Sequence, residues 1–255
     1  MKELLFALTV AVAFMLTGAG KAAENASQGN VCRAAVLVYH RLARHRKNES
    51  RAETNVTTDP AAFEAHMSYL AENGFAVVPY GAVIDCIDGV TPLPPKAVVI
   101  TFDDGLISQF TKAFPVLVRH GFTATFFVVT KSVGQGPALM SWDQLRELRD
   151  AGMTIGSHTR THPFLTQVVG ERHMVSELSG SSDDIERELG TAPQYLAYPY
   201  GDLSARVMGL VQAAGYRSAR SIHDSPEHKK ADVFRLRITG TSDSLGFFKR
   251  AVGRI

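Results

Sequence analysis

The stretch AVVITFDDGLISQF, residues 97–110, runs apolar and β-branched residues directly into two adjacent carboxylates and a glycine. A strand of that composition belongs in a core, and charges at its end cost free energy to desolvate. Either the acids sit in a solvated turn, or the strand delivers them to a site. Successive side chains on a strand point to opposite faces, so Asp103 and Asp104 need not share a target. Gly105 frees the backbone to turn, and one carboxylate can then ligate a cation while the other faces the space beside it. Adjacent acids suit glycosidase chemistry poorly, because that chemistry needs two carboxylates flanking a bond, about 5–9 Å apart.

The same apolar runs recur along the chain. AAVLVYH (34–40), FAVV (75–78), TATFFVV (123–129), MTIGSH (153–158), QYLAYPYG (194–201), YRSARSI (216–222) and VFRLRIT (233–239) read as strands. Helices are expected over 59–74, with Asp59 as cap, Pro60 at the first position and Gly74 as stop. Others are expected over 80–87, 107–120, 141–152, 171–190, 204–215 and the C-terminal SLGFFKRAVGRI. Near-continuous apolar strands separated by helices define an α/β fold, with a parallel sheet covered on both faces or closed into a barrel. In such folds ligands gather at the C-terminal ends of strands, where the two aspartates lie. No internal repeat and no low-complexity tract interrupts the pattern.

The chain opens with MKELLFALTVAVAFMLTGAGKAAENA: one early lysine, an apolar run from Leu4 to Leu16, then small residues. That is the layout of a secretory signal peptide. Residues 1–23 are expected to be removed near Ala22 or Ala23, with 24–33 as a linker and 34–255 as one domain. The apolar run is shorter than the roughly 20 residues that span a bilayer, and no second run follows. The expected product is exported, whether periplasmic, secreted or cell-surface, without a stable membrane span. A net charge of +2 with 45% hydrophobic residues indicates a globular chain without a polybasic character, which excludes nucleic acid as the expected partner. Cys32 and Cys86 either pair in an oxidising compartment or remain buried thiols.

Three further segments carry chemistry. In GSHTRTHPFL (156–165), His158 and His162 have a spacing that clamps one metal from a helix, but Pro163 disfavours helical geometry before it. They read better as a loop clip at a strand end, and with Asp104 they make the two-imidazole, one-carboxylate set of a catalytic zinc centre. In YLAYPYGD (195–202), Pro199 and Gly201 shape a turn that either aims the Tyr200 amide at an oxyanion or is a plain turn with Asp202 as helix cap. In LVYHRL (37–42), His40 ends the first strand and is a candidate general acid, with His223 of RSIHDS as its competitor. The charged segment 41–55 reads as a solvated loop or a substrate-lining one.

Taken together, TFDDG, SHTRTH and PYG occur in the order seen in the polysaccharide deacetylase family, carbohydrate esterase family 4, which this chain resembles from about Val36 onward. The VLVYH start is similar to the branch of exported poly-β-1,6-N-acetylglucosamine deacetylases, where the acid histidine comes from the N-terminal strand. The resemblance implies a distorted (β/α) barrel of about seven parallel strands, with 34–255 as the catalytic domain of a monomer. It implies metal-dependent removal of N-acetyl groups from N-acetylhexosamine units of a polysaccharide. Asp103 would be the base, His40 the acid, and Asp104, His158 and His162 the ligands of a divalent metal. That metal would be zinc, with cobalt or nickel also accepted by such donors. Pro199 and Tyr200 would form the oxyanion turn, while Phe164 and Leu165 either wall the acetyl methyl or pack the core. Two departures stand out. Ala197 occupies the place of an arginine that orients the base in many members, with Arg235 or Arg237 as candidate replacements, and the only tryptophan is Trp142. An O-acetyl esterase on a polysaccharide such as xylan and a non-catalytic glycan-binding protein are the competing readings.

Overall fold

Seven parallel strands wall a nearly closed barrel in the computed structural model, which describes residues 31–239 and 241–255. In chain order they are β1 (Ala35–Tyr39), β2 (Ala97–Phe102), β3 (Thr125–Val128), β4 (Thr154–Ser157), β5 (Tyr195–Ala197), β6 (Ser218–Asp224) and β7 (Leu236–Ile238). Each pairs in parallel with the next. The circle closes through one bridge, where the Thr239 N–H donates to the Val36 carbonyl at 2.7 Å. A two-residue strand, Ala76–Val77, adds to the start of β2.

The strands are apolar on both faces because both faces are covered. Val98, Ile100 and Phe102 of β2 meet Phe63 and Met67 of the helix Pro60–Glu72, Leu117 of the helix Phe114–His120 and Phe248 of the helix Leu245–Val252. Ala97 and Val99 face the other way, onto Val36, Phe127, Tyr195 and Leu236 from four other strands and onto the helix Tyr80–Ile87. Side chains from strands all round the wall meet only at the barrel axis, so this second set is the interior. Asp103 continues the phase of Ala97 and Val99, and the period of two aims it inward.

Local chemistry places the helices as expected. Asp59 accepts from the Ala61 N–H with Pro60 at the first position, and Ser141 and Gln144 form a reciprocal capping box. The expected helix over 107–120 begins instead as a π turn, Gln109–Ala113, in which the Phe114 N–H reaches back to the Gln109 carbonyl. Pro115 has no N–H to continue an ordinary ladder, and the widened turn absorbs the missing bond.

The expected signal peptide, residues 1–23, lies outside the described residues. Cys32–Arg33, expected as the end of a linker, forms a short strand antiparallel to Glu227–His228. Cys32 and Cys86 are paired, tying that strand to the helix Tyr80–Ile87 with Cα atoms 6.1 Å apart. Segment 41–55 is more structured than a solvated loop. Arg41–Leu42 pairs with Thr57–Thr58, Ser50 caps a short helix Arg51–Asn55, and the Glu49 side chain is 3% exposed between Arg41 and His45. No helix among the described residues is long and apolar enough to cross a membrane.

Candidate active site

The end of β2 separates the two acids, as its alternation requires. Asp104 and Gly105 both adopt left-handed backbone, with φ of 76° and 74°, and turn the chain over the top of the strand. Asp103 is 5% exposed inside the barrel mouth, whereas the Asp104 side chain is 32% exposed beside it. The Arg220 guanidinium donates to Asp103 Oδ1, and His40 Nε2 lies 3.6 Å from Oδ2. Burial pushes the Asp103 carboxyl up, but Arg220, His158 and His40 together outweigh it and hold the pKa at about 2. The Gln109 side-chain amide donates to the backbone carbonyls of both His40 and Asp103, at 3.1 Å for His40, so one buried residue fixes the ends of β1 and β2 together.

His158, just past β4, is buried, and His162 lies on the loop beyond it with its backbone at φ 64°. The loop is not helical, as Pro163 implies. The His158 Nδ1–H donates to the Ala197 carbonyl at 2.8 Å, which leaves its Nε2 lone pair facing Asp104. Burial lowers the His158 pKa against the opposing pull of Asp103 and Asp104, favouring the neutral ring that a ligand must be. The two Nε2 atoms are 3.2 Å apart and each is 3.6 Å from Asp104 Oδ1. Those spans match one face of a tetrahedron around an ion held at about 2.0–2.1 Å. Asp104, His158 and His162 therefore fit a divalent cation in both donor chemistry and spacing.

The remaining expected residues divide. Tyr200 sits at φ 59° in the turn Pro199–Gly201, with its ring half exposed and edge-on to His162 at 4.6 Å. Phe164, also half exposed, stacks on Tyr200 at 4.0 Å, forming a rim beside the histidines. Leu165 is fully buried with Leu196 and Tyr198, so it packs the core and offers no wall to a ligand. Asp202 does not cap the following helix, which Ser204 does. It accepts instead from the Thr166 N–H and hydroxyl, pinning the Tyr200 turn to the histidine loop. His223 lies on the exposed end of β6 and makes no hydrogen bond or ion pair with the cluster among the described residues. Of the two candidate histidines, His40 is the one brought to Asp103.

Arg220 was the residue that sequence reasoning missed. Arg235 is exposed and paired to Asp232, and neither it nor Arg237 reaches Asp103 among the described ion pairs. Arg220 is 2% exposed, with its guanidinium 5.1 Å over the Phe127 ring, and it stands in register beside Ala197 on the neighbouring strand. The signal was a charge in the middle of the small-residue run RSARSI, at the phase of buried strand positions.

A family model described as polysaccharide deacetylase matches residues 91–219. A Bacillus subtilis homologue of such enzymes, YxkH, is 28% identical over 183 residues, 71% of this chain and 62% of that protein. The poly-β-1,6-N-acetyl-D-glucosamine N-deacetylase of Escherichia coli is 30% identical over 128 residues, covering 44% of this chain and 19% of that one. The chain thus spans less than two thirds of these curated relatives. Among solved structures, the deacetylase PplD of Streptococcus pyogenes superposes with a TM-score of 0.74 at 23% identity, over 83% of this chain and 95% of that one, a likeness of fold.

Proposed function

The chain belongs to the polysaccharide deacetylase family, and on that premise we propose that it hydrolyses N-acetyl groups on N-acetylhexosamine units of a polysaccharide resembling poly-N-acetylglucosamine. The observation that carries this reading is the convergence of two sets on one barrel mouth. One is a buried, ionised Asp103 flanked by Arg220 and His40, and the other is the Asp104, His158 and His162 donor set.

A divalent cation held by Asp104, His158 and His162, zinc in preference with cobalt or nickel as substitutes, would polarise the acetyl carbonyl and raise the acidity of the attacking water. Asp103 takes the proton from that water as the new C–O bond forms, and its low pKa suits an acidified water better than a free one. Arg220 holds the carboxylate in one orientation, the part that Ala197 cannot play. The Tyr200 N–H donates to the developing oxyanion. His40 passes a proton to the nitrogen as the C–N bond breaks, because an unprotonated amide nitrogen is a poor leaving group, and acetate and a free amine result. The stacked rings of Phe164 and Tyr200 offer an apolar face on which a pyranose can lie. Ala197 was the departure that favoured a non-catalytic glycan-binding protein, and Arg220 removes its force. Residues 1–23 as a signal peptide and a Cys32–Cys86 bond support an exported catalytic domain over 34–255.

Purified protein is expected to release acetate from N-acetylglucosamine oligomers, to lose this with a chelator and to regain it with zinc. Asp104→Asn is expected to bind no metal and release none. Undiminished turnover by metal-free Asp104→Asn would sink the reading, and a preference for acetylated xylan would move it to O-acetyl esters.

A further inference from the structure

The loop that carries the two histidines is built on a polar stripe of the helix Glu171–Leu189, and that stripe is unusual for a buried helix face. Glu177, Ser181 and Asp184 recur at helical spacing and are all buried, beside an apolar stripe of Met174, Leu178 and Ile185 that packs the core. A buried carboxylate is costly unless its lone pairs are satisfied. Glu177 has no cationic partner among the described ion pairs. It accepts instead from the Arg160 N–H at 3.1 Å, the Thr161 N–H at 2.8 Å and the Thr161 hydroxyl at 2.7 Å.

Those two residues lie between the histidines, and they are bracketed by strain. Thr159 and His162 both adopt φ of 64°, a conformation that a β-branched residue such as threonine rarely holds. Such backbone persists only where the surroundings over-determine it. Asp184 accepts from Arg160 Nε at 3.1 Å and from the Thr130 hydroxyl at 3.0 Å, and Ser181 bonds Ser157 at 2.7 Å.

We infer that Glu177 is a positioning residue for the metal centre: it clamps the strained Thr159–His162 segment so that both imidazoles converge on Asp104. The inference rests on the metal-centre reading of Asp104, His158 and His162. The test is titration of metal-free protein with cobalt(II), reading affinity from the visible d–d spectrum, with thermal unfolding of each variant followed in parallel. Glu177→Ala is expected to bind cobalt about 10- to 100-fold more weakly, with a weaker, altered d–d band while still folded. Glu177→Gln keeps an acceptor for both N–H groups and is expected to stay close to wild type. Thr161→Val, an exposed change that removes one bond to Glu177, is expected to lose about 2- to 10-fold and serves should Glu177→Ala not fold. Wild-type affinity and spectrum in folded Glu177→Ala or Thr161→Val would overturn the inference alone. Equal loss in Glu177→Gln would replace positioning with charge and also overturn it. Failure of the wild type to bind cobalt would overturn the metal-centre reading, and the inference with it.

Discussion

Arg220 and Asp103 show how a cation absent from one strand can be supplied to the same carboxylate by its neighbour. The arginine expected at Ala197 on β5 is supplied by β6 from the residue paired with it in register, so the guanidinium enters the same barrel mouth from one strand further round. A cation held within a low-dielectric interior must be paired, and truncating one partner of such a pair costs about 3–5 kcal/mol. Arg220→Ala is therefore expected to unfold at lower denaturant by that amount and to lose most acetate release, since Asp103 is left buried and free to turn. Arg220→Lys retains the charge without the planar fork, and is expected to recover more stability than activity. Denaturant titration and acetate assays on the two variants separate pairing from orientation. Stability and activity unchanged in Arg220→Ala would show that Asp103 is held by other means.

Most elements were legible because their signals are local. The caps at Asp59 and Ser141, the runs of β1 to β4 and the FDDG ending each depend on residues adjacent in sequence. The grouping of Asp104, His158 and His162 was legible too, because TFDDG and SHTRTH each end a strand of one parallel sheet. What stayed hidden depends on register and packing between distant segments. No local pattern reveals that Arg220 pairs with Ala197, that Leu165 turns inward while Phe164 stays out, or that Glu49 is enclosed by Arg41 and His45. His66 illustrates the same limit on the helix Pro60–Glu72, where it stacks on Phe248 at 3.9 Å and its Nδ1 meets the Tyr39 hydroxyl. Burial lowers its pKa from 6.5 to about 4, against the opposing pull of Asp243. The folded state then binds fewer protons than the unfolded chain between those values, so stability falls as pH drops from 6.5 towards 4. His66→Gln is expected to flatten that part of the stability profile, measured by denaturant unfolding at stepped pH. An unchanged slope would remove His66 as its source.

At the scale of the whole molecule, the barrel divides its duties between its two ends. The C-terminal ends of β1, β2 and β4 supply His40, the two aspartates and the histidine loop, and Arg220 reaches Asp103 from within β6, while the N-terminal end carries the Cys32–Cys86 bond. That bond closes a segment with a sequence separation of 54, for which loop-closure entropy gives about 4 kcal/mol of stabilisation. Cys86→Ser is expected to lower stability by about that much and to leave acetate release unchanged at temperatures where the variant is folded. A loss of activity in the folded variant would show that the two ends are coupled.

The central claim is the division of labour at the end of β2, with Asp104 holding a cation and Asp103 taking the proton. The most direct measurement is bound zinc together with acetate release in Asp103→Asn. The account predicts wild-type zinc content with turnover lowered by about 10²–10⁴-fold. Loss of the zinc along with turnover, or turnover retained at wild-type rates, would contradict it.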